Sequence, residues 1–167
     1  MSKILISGYY GFANAGDEAM LTAIIESLRQ VEKNVELTVL SGNPEDTAAK
    51  HQVCSVYRFN PLGIIQAMKD SELIISGGGS LLQDVTSKRS LLYYLSIIGL
   101  GKFFGKKVML FAQGIGPIRA KWARKLTSLV CNEADLITVR DSESAAELIE
   151  MGVKPEKITV TADSVLS

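Results

Sequence analysis

Two adjacent carboxylates, Asp17 and Glu18, follow the glycine-punctuated stretch Gly8-Tyr-Tyr-Gly11-Phe-Ala-Asn14-Ala-Gly16. Beyond them apolar residues recur at Ala19, Met20, Ala23, Ile24 and Leu28, the spacing of one helix face, so the pair stands at a helix amino end. Carboxylates there gain about 0.3–1 kcal/mol each from the helix dipole, and they repel a phosphate placed in the same loop. This pattern suits a neutral, hydroxyl-rich ligand such as a sugar, with Asp17 as the candidate catalytic group and Asn14 and Glu18 as sugar contacts. Ordinary capping competes with that reading, because Asn14 with Asp17 three residues on resembles a capping box. An ionised Asp17 held by the dipole is also a weak base, although it can still orient a hydroxyl.

Two further glycine-rich stretches follow apolar runs: Gly77-Gly78-Gly79-Ser80 and Gln113-Gly114-Ile115-Gly116-Pro117. With Gly11 and Gly16 they offer bare backbone to a ligand, and Ser80 adds a hydroxyl with Gln83 and Asp84 behind it. Tight-turn formation alone explains any single one of these glycines. Arg140 follows another apolar run and is the candidate for holding an anion. Asp141 and Ser142 beside it read as helix caps. The basic run Arg119–Lys125 reads as a solvated helix face or as an anion contact at a helix start. His51, the only histidine, has no partner pattern.

Several chemistries are disfavoured. The sequence has no GxxxxGK[ST] phosphate loop and no G-x-G-x-x-G fingerprint in the first turn. The second strand ends in Leu40-Ser41-Gly42-Asn43, without an acid to take a ribose hydroxyl. No His, Cys and carboxylate cluster has metal-ligand spacing, so no metal and no cofactor are expected. Cys54 and Cys131 lack CxxC partners and read as buried free thiols of a reducing compartment.

The elements that must position these residues alternate. Strand-like runs fall at 3–7, 36–40, 53–57, 72–76, 107–112, 136–139 and 157–161. Helical patterns fall at 17–32, after Pro44, and at 61–69, 81–104, 118–132 and 142–151. Such alternation predicts an α/β fold, a doubly wound, mostly parallel, Rossmann-like sheet. The glycine stretches, Ser41–Asn43, Arg140 and Asp163 then share one edge, where open α/β sheets bind ligands. At 167 residues, 47% of them apolar, the chain suits one domain with a full core. Its eighteen basic and eighteen acidic residues give no global field for nucleic acid. No signal peptide precedes the first strand, so a cytoplasmic location is expected. The stretch Ser90–Phe104 is nearly all apolar, too short to span a bilayer and flanked by lysines and an arginine. It reads as a helix buried against the sheet, or as a surface that docks on a membrane to reach a lipid-linked substrate.

The motifs at residues 8–20, Ser76–Asp84, Gln113–Pro117, Val139–Ser144 and Thr161–Asp163 resemble, in order, those of the polysaccharide pyruvyl transferase family, most closely the CsaB-type enzymes of bacterial cell walls. The resemblance implies a glycosyltransferase-B-like architecture of two facing Rossmann-like domains, with residues 1–167 as the amino-terminal, acceptor-side domain and the carboxy-terminal domain absent. It implies transfer of the enolpyruvyl skeleton of phosphoenolpyruvate to a cell-wall or polysaccharide sugar as a pyruvate ketal, with release of phosphate. Phosphoenolpyruvate is a co-substrate, and the saccharide acceptor can be lipid-linked at the inner membrane face. By this resemblance Gly11, Asn14, Gly16, Glu18, Gly77, Gly78, Gly79, Ser80, Gln113, Gly114 and Arg140 bind substrate and Asp17 is catalytic. Most donor-binding charge falls in the second domain, and the isolated fragment is expected to be inactive. A nucleotide-sugar glycosyltransferase on the same scaffold and a non-catalytic sugar- or nucleotide-binding module remain alternatives.

Overall fold

The computed structural model describes residues 2–85 and 87–161. The Ala162 and Asp163 end of the last motif lies outside the described residues. In chain order the elements are β1 (Lys3–Ser7), α1 (Ala15–Val31), β2 (Glu36–Ser41), α2 (Pro44–His51), β3 (Cys54–Tyr57), α3 (Pro61–Asp70), β4 (Leu73–Ser76), β5 (Gly79–Leu82), α4 (Lys88–Phe103), β6 (Lys107–Ile115), α5 (Lys121–Glu133), β7 (Leu136–Val139), α6 (Ser142–Met151) and β8 (Ile158–Val160). A single turn of 3-10 helix, Pro155–Lys157, precedes β8.

The eight strands form one sheet in the order β3-β2-β1-β4-β6-β7-β8, with β5 beside β6 and every pairing parallel. Parallel strands must be covered on both faces. Ile4 and Ile6 of β1, Leu37 and Val39 of β2 and Ile75 of β4 pack on Met20, Leu21, Ile24 and Ile25 of α1. Leu5, Leu40, Ile74, Val108, Leu110 and Ile137 point the other way, into a second core with α3, α4, α5 and α6. The period of two along each strand therefore separates two cores on opposite faces.

The predicted helix over 81–104 is two elements. Gly79–Leu82 is a short strand that takes up the β6 edge where β4 leaves off: β4 pairs with β6 as far as Leu110, and Gly79 and Leu82 pair with Gln113 and Ile115. α4 begins only at Lys88, capped by the Ser87 hydroxyl, which accepts from Ser90 N–H at 3.2 Å. Apolar runs of this length do not by themselves distinguish strand from helix. Cys54 also departs from expectation. It is exposed on the edge strand β3, whereas Cys131 is buried and its thiol is pushed up to about 12 by that burial.

The chain leaves β1 for β2 on one side and arrives at β4 on the other, so the tips of β1 and β4 form the switch point where such sheets open a crevice. Tyr10 fills it, fully buried. A Cβ on Gly8 would lie 2.5 Å from the Tyr10 ring, and one on Gly77 would overlap its hydroxyl and approach the Ser7 carbonyl at 3.2 Å. Gly78 lies close to Met20 of α1, 2.8 Å from its sulfur by the same measure. Gly77 and Gly78 thus make room for neighbouring side chains. Gly77→Ala is expected to destabilise the protein to chemical denaturation by about 1–3 kcal/mol. Tyr10→Phe removes a buried hydroxyl that has no partner among the described residues, so it should be neutral or stabilising alone and should recover part of the loss in the double variant. An additive double variant would contradict the packing account.

Candidate functional site

Because every pairing in the sheet is parallel, the loops after β1, β2, β4, β6 and β7 all lie along its carboxyl edge. The first loop is tied down from several directions. Gly11 N–H donates to Glu18 Oε1 at 3.0 Å, and Glu18 Oε2 lies 3.3 Å from His51 Nε2 at the end of α2. Gly42 N–H donates to the Tyr10 carbonyl at 2.9 Å. Gly11 has φ +86, and a Cβ there would come within 2.5 Å of Asn43 N, so only glycine fits. Asn14 caps α1 by accepting from Asp17 N–H at 3.1 Å. Glu18 and His51 therefore hold the loop, a role for His51 that its isolated position in the sequence did not reveal. Gly16 is exposed on the first turn of α1 and has open space beside it, its nearest neighbour being Asn14.

Asp17 is placed differently. Its backbone is capped, but its half-buried carboxylate takes no hydrogen bond from the described residues and faces Gly79, 3.1 Å from where a Cβ would stand. Gly79 has φ +96, which turns the chain out of the Gly77–Gly78 break into β5. Burial, and then the neighbouring Glu18 charge, raise the Asp17 carboxyl above its ordinary value. Desolvation thus outweighs the stabilisation by the helix dipole that the sequence suggested. The group is a better proton acceptor than a capping aspartate, and it sits between the first and second glycine loops. Ser80 follows Gly79 within β5.

Gln113 is fully buried. Its amide donates to the Ser76 carbonyl at 3.1 Å and to the Gly77 carbonyl, strapping the break between β4 and β5. Gly114 gives space to the Arg140 guanidinium, whose Nε lies 2.7 Å from where a Cβ would stand. Arg140 Nε is 3.6 Å from Asp141 Oδ2. Arg140 and Asp141, with Ile115, Gly116, Glu143 and Glu147, line a hollow of about 340 Å³. The structure so brings Asp17, Gly79, Gln113, Gly114 and Arg140 onto one rim. Glu18 and Gln113 are engaged within the fold. The start of α5 is occupied as well: both Asp84 carboxylate oxygens accept from Arg119 N–H, and one accepts from Ala120 N–H, each at 3.0 Å. Arg124 donates to the Ile118 carbonyl at 2.9 Å and pairs with Glu147.

One feature of the rim was missed in the sequence. Arg58, just past β3 and 6% exposed, has its guanidinium carbon 4.6–5.8 Å from the centroids of the Tyr93, Phe59, Phe12, Tyr94 and Tyr9 rings. No carboxylate pairs with it among the described residues, and its Nε has no hydrogen-bond partner. Cation–π attraction is strongest when desolvated, about 2 kcal/mol or more for a good pair. Tyr9 and Phe12, stacked at 4.3 Å and 40% and 42% exposed, are thereby held as an aromatic shelf beside the first loop. The signal lay in three aromatic pairs scattered between residues 9 and 94, Tyr9/Phe12, Tyr57/Phe59 and Tyr93/Tyr94, whose convergence only the fold reveals.

The family model described as polysaccharide pyruvyl transferase matches residues 14–167. The chain belongs to that family. No curated protein sequence matches it. Among solved structures, Anabaena Alr3699/HepE in complex with UDP and glucose is similar over 98% of this chain and 44% of its own, at 13% identity and TM-score 0.67. S. aureus MnaA with UDP is similar over 98% and 44%, at 16% identity and TM-score 0.56. The UDP-GlcNAc 2-epimerase from Neisseria meningitidis bound to UDP-GlcNAc is similar over 99% and 47%, at 14% identity and TM-score 0.58. The shared fold is that of the Rossmann-like domains of glycosyltransferase-B enzymes and epimerases. The chain spans less than half the length of these solved relatives.

In this member of the family the Asp84 carboxylate holds the end of the loop between β6 and α5, beside the Arg124 contact to the Ile118 carbonyl. Backbone hydrogen bonds from Ala120 and Arg119 hold its carboxyl below the ordinary value. Its stabilising contribution is therefore complete above the usual carboxylate range and is lost as pH falls through the lowered folded value. Asp84→Ala is expected to lower the melting temperature at neutral pH, with the gap to the parent protein closing on acidification. A gap independent of pH would contradict this role.

Proposed function

We propose that this chain is the acceptor-side domain of an enzyme that transfers the enolpyruvyl group of phosphoenolpyruvate to a cell-wall or polysaccharide sugar, forming a pyruvate ketal and releasing phosphate. Family membership supports the reaction class. The observation that carries the acceptor role is Asp17, a half-buried carboxylate with no partner among the described residues and a raised proton affinity, between two glycine loops and on the rim that also holds an aromatic shelf.

The chemistry follows from the bonds involved. Protonation of the methylene carbon of phosphoenolpyruvate makes its neighbour electrophilic, and one sugar hydroxyl adds there, giving up its proton. Loss of phosphate then opens the same carbon to the second hydroxyl, whose proton leaves as the ketal closes. Each hydroxyl needs a proton acceptor and a fixed orientation. Asp17 supplies the first for one hydroxyl. The Tyr9–Phe12 shelf and the Gly79 backbone supply the second. Arg140, stacked over Gly114 at the other end of the rim, is the group in this domain suited to the phosphate or carboxylate of the donor. Acidic Asp141, Glu143 and Glu147 around it leave most of the donor charge to a second domain.

A nucleotide-sugar reading is favoured by one observation, the UDP bound in structures of similar fold. Incubating the complete protein with saccharide acceptor and either phosphoenolpyruvate or a UDP-sugar separates the two. Phosphate release with the first supports pyruvyl transfer, and UDP release with the second overturns it. Asp17→Asn keeps the helix cap, which uses the backbone N–H, so stability should change by less than about 1 kcal/mol. kcat/KM should fall by roughly 100-fold or more. The acid limb of the parent pH profile should lie above the ordinary aspartate range and vanish in the variant. Parallel losses of stability and turnover would instead mark Asp17 as a cap.

A further inference from the structure

The outer surface of the α3–α4–α5 layer is both apolar and basic. Residues 85–132, which span α4 and nearly all of α5, hold nine Lys or Arg and neither Asp nor Glu, in a chain whose totals balance at eighteen each. The inner side of α4 is buried against the sheet, as Leu91, Tyr94, Leu95, Ile97 and Ile98 show. Its outer side is the stripe Leu92, Ser96, Leu100 and Phe103, with Phe103 80% exposed. Across from it, at the start of α3, stand Phe59 and Leu62, 60% and 80% exposed. Between the two helices runs an apolar groove of about 260 Å³ lined by Phe59, Pro61, Ile65, Ile97 and Leu100. On α5, which packs beside α4, Trp122 and Leu129 are 47% and 60% exposed.

Single exposed apolar residues need no explanation, but a run of large ones bordered by cations does. Lys88 and Arg89 are exposed at one end of the stripe, Lys121 and Lys125 along α5, and Lys69 and Lys107 at the other end. Of the acids nearby, Asp70 accepts from Gln66, Asp135 is paired with Lys102 at 2.8 Å and Asp84 is taken up by Arg119 and Ala120 N–H, while Glu72 and Glu133 are exposed toward the Lys107 end. Aromatic and leucine side chains rimmed by Lys and Arg are the composition that seats in the boundary between lipid headgroups and acyl chains. Among the described residues no helix is long and apolar enough to cross a membrane, which leaves attachment from one side.

We propose that the α3–α4–α5 face is a peripheral docking surface for an anionic phospholipid leaflet, with Phe103, Leu100 and Trp122 entering the headgroup boundary and Lys88, Arg89 and Lys125 meeting lipid phosphates. The surface reaches the carboxyl edge of the sheet at Phe59 and Lys88, so the candidate site opens beside the leaflet. This holds independently of the reaction catalysed. The test is cosedimentation of the full-length protein with vesicles of phosphatidylglycerol and phosphatidylcholine, against phosphatidylcholine alone. Binding to the anionic vesicles only, weakened by salt, is expected. Lys88→Gln, Arg89→Gln and Lys125→Gln should each lower the partition coefficient about fivefold. Phe103→Ser with Trp122→Ser should lower it at least tenfold. All five positions are exposed, and an unchanged melting temperature checks that the variants fold. Absence of vesicle binding, equal binding to both vesicle types, or partition unchanged in these variants would overturn the proposal. So would a salt-sensitive complex with an RNA or DNA probe in place of vesicles, or a solution oligomer that buries Phe103 and Trp122.

Discussion

A tyrosine ring wedged where two strand tips part sets the spacing of the whole carboxyl edge. Tyr10 occupies the crevice between β1 and β4, and the glycines around it, Gly8 and Gly77, are there because a Cβ on either would collide with the ring or its hydroxyl. Gln113 closes the same place from β6 by bridging Ser76 and Gly77. Three buried polar atoms here, Ser7 Oγ, Tyr10 OH and Gln113 Oε1, have no partner among the described residues, and burial raises the Tyr10 phenol far above its usual range. A buried polar group left unsatisfied disfavours folding by about 1–3 kcal/mol. The fold tolerates this at the point from which its ligand-facing loops diverge, and close packing there gives those loops a rigid base.

The electrostatics of the rim separate into two regions. Near α1 the charge is negative and partly desolvated, and Glu18 raises the proton affinity of Asp17 while itself holding Gly11. Next to it lies a cation with no anion beside it among the described residues: Arg58 is surrounded by rings in place of carboxylates. Burying a guanidinium without a counter-charge is unfavourable unless the surroundings stabilise it, and five aromatic faces do so here. Burial also lifts the Tyr94 phenol to about 12, and its neutral hydroxyl accepts from the Arg58 guanidinium while the Tyr93 hydroxyl donates to the Arg58 carbonyl. The result joins the first loop to α4 without a salt bridge that a charged ligand could compete for.

Much of this was legible in the sequence. Alternating apolar runs gave the doubly wound parallel sheet, and the glycine stretches fell on one edge because each follows a strand. Three things were not legible. Leu81 and Leu82 look the same in a buried strand as in a buried helix, and only the free β6 edge beyond Leu110 makes them a strand. The glycine triplet reads as ligand-facing backbone, yet Gly77 and Gly78 answer to Tyr10 and Met20, partners more than fifty residues away in sequence. Arg58 has one ring partner, Phe59, beside it in the sequence, and the other four come from the first loop and from α4. Long-range packing, which leaves little trace in local periodicity, accounts for all three.

Asp84 lies between β5 and α4, yet it binds the backbone just before α5. The two helices that carry the exposed Phe103 and Trp122 are consequently pinned to each other at their site-side ends, as well as packed along their length. Both also meet the loop that leaves β6 through the same residue, because Asp84 N–H donates to the Pro117 carbonyl at 3.2 Å. Whatever settles against that face is mechanically continuous with the rim that holds Arg140.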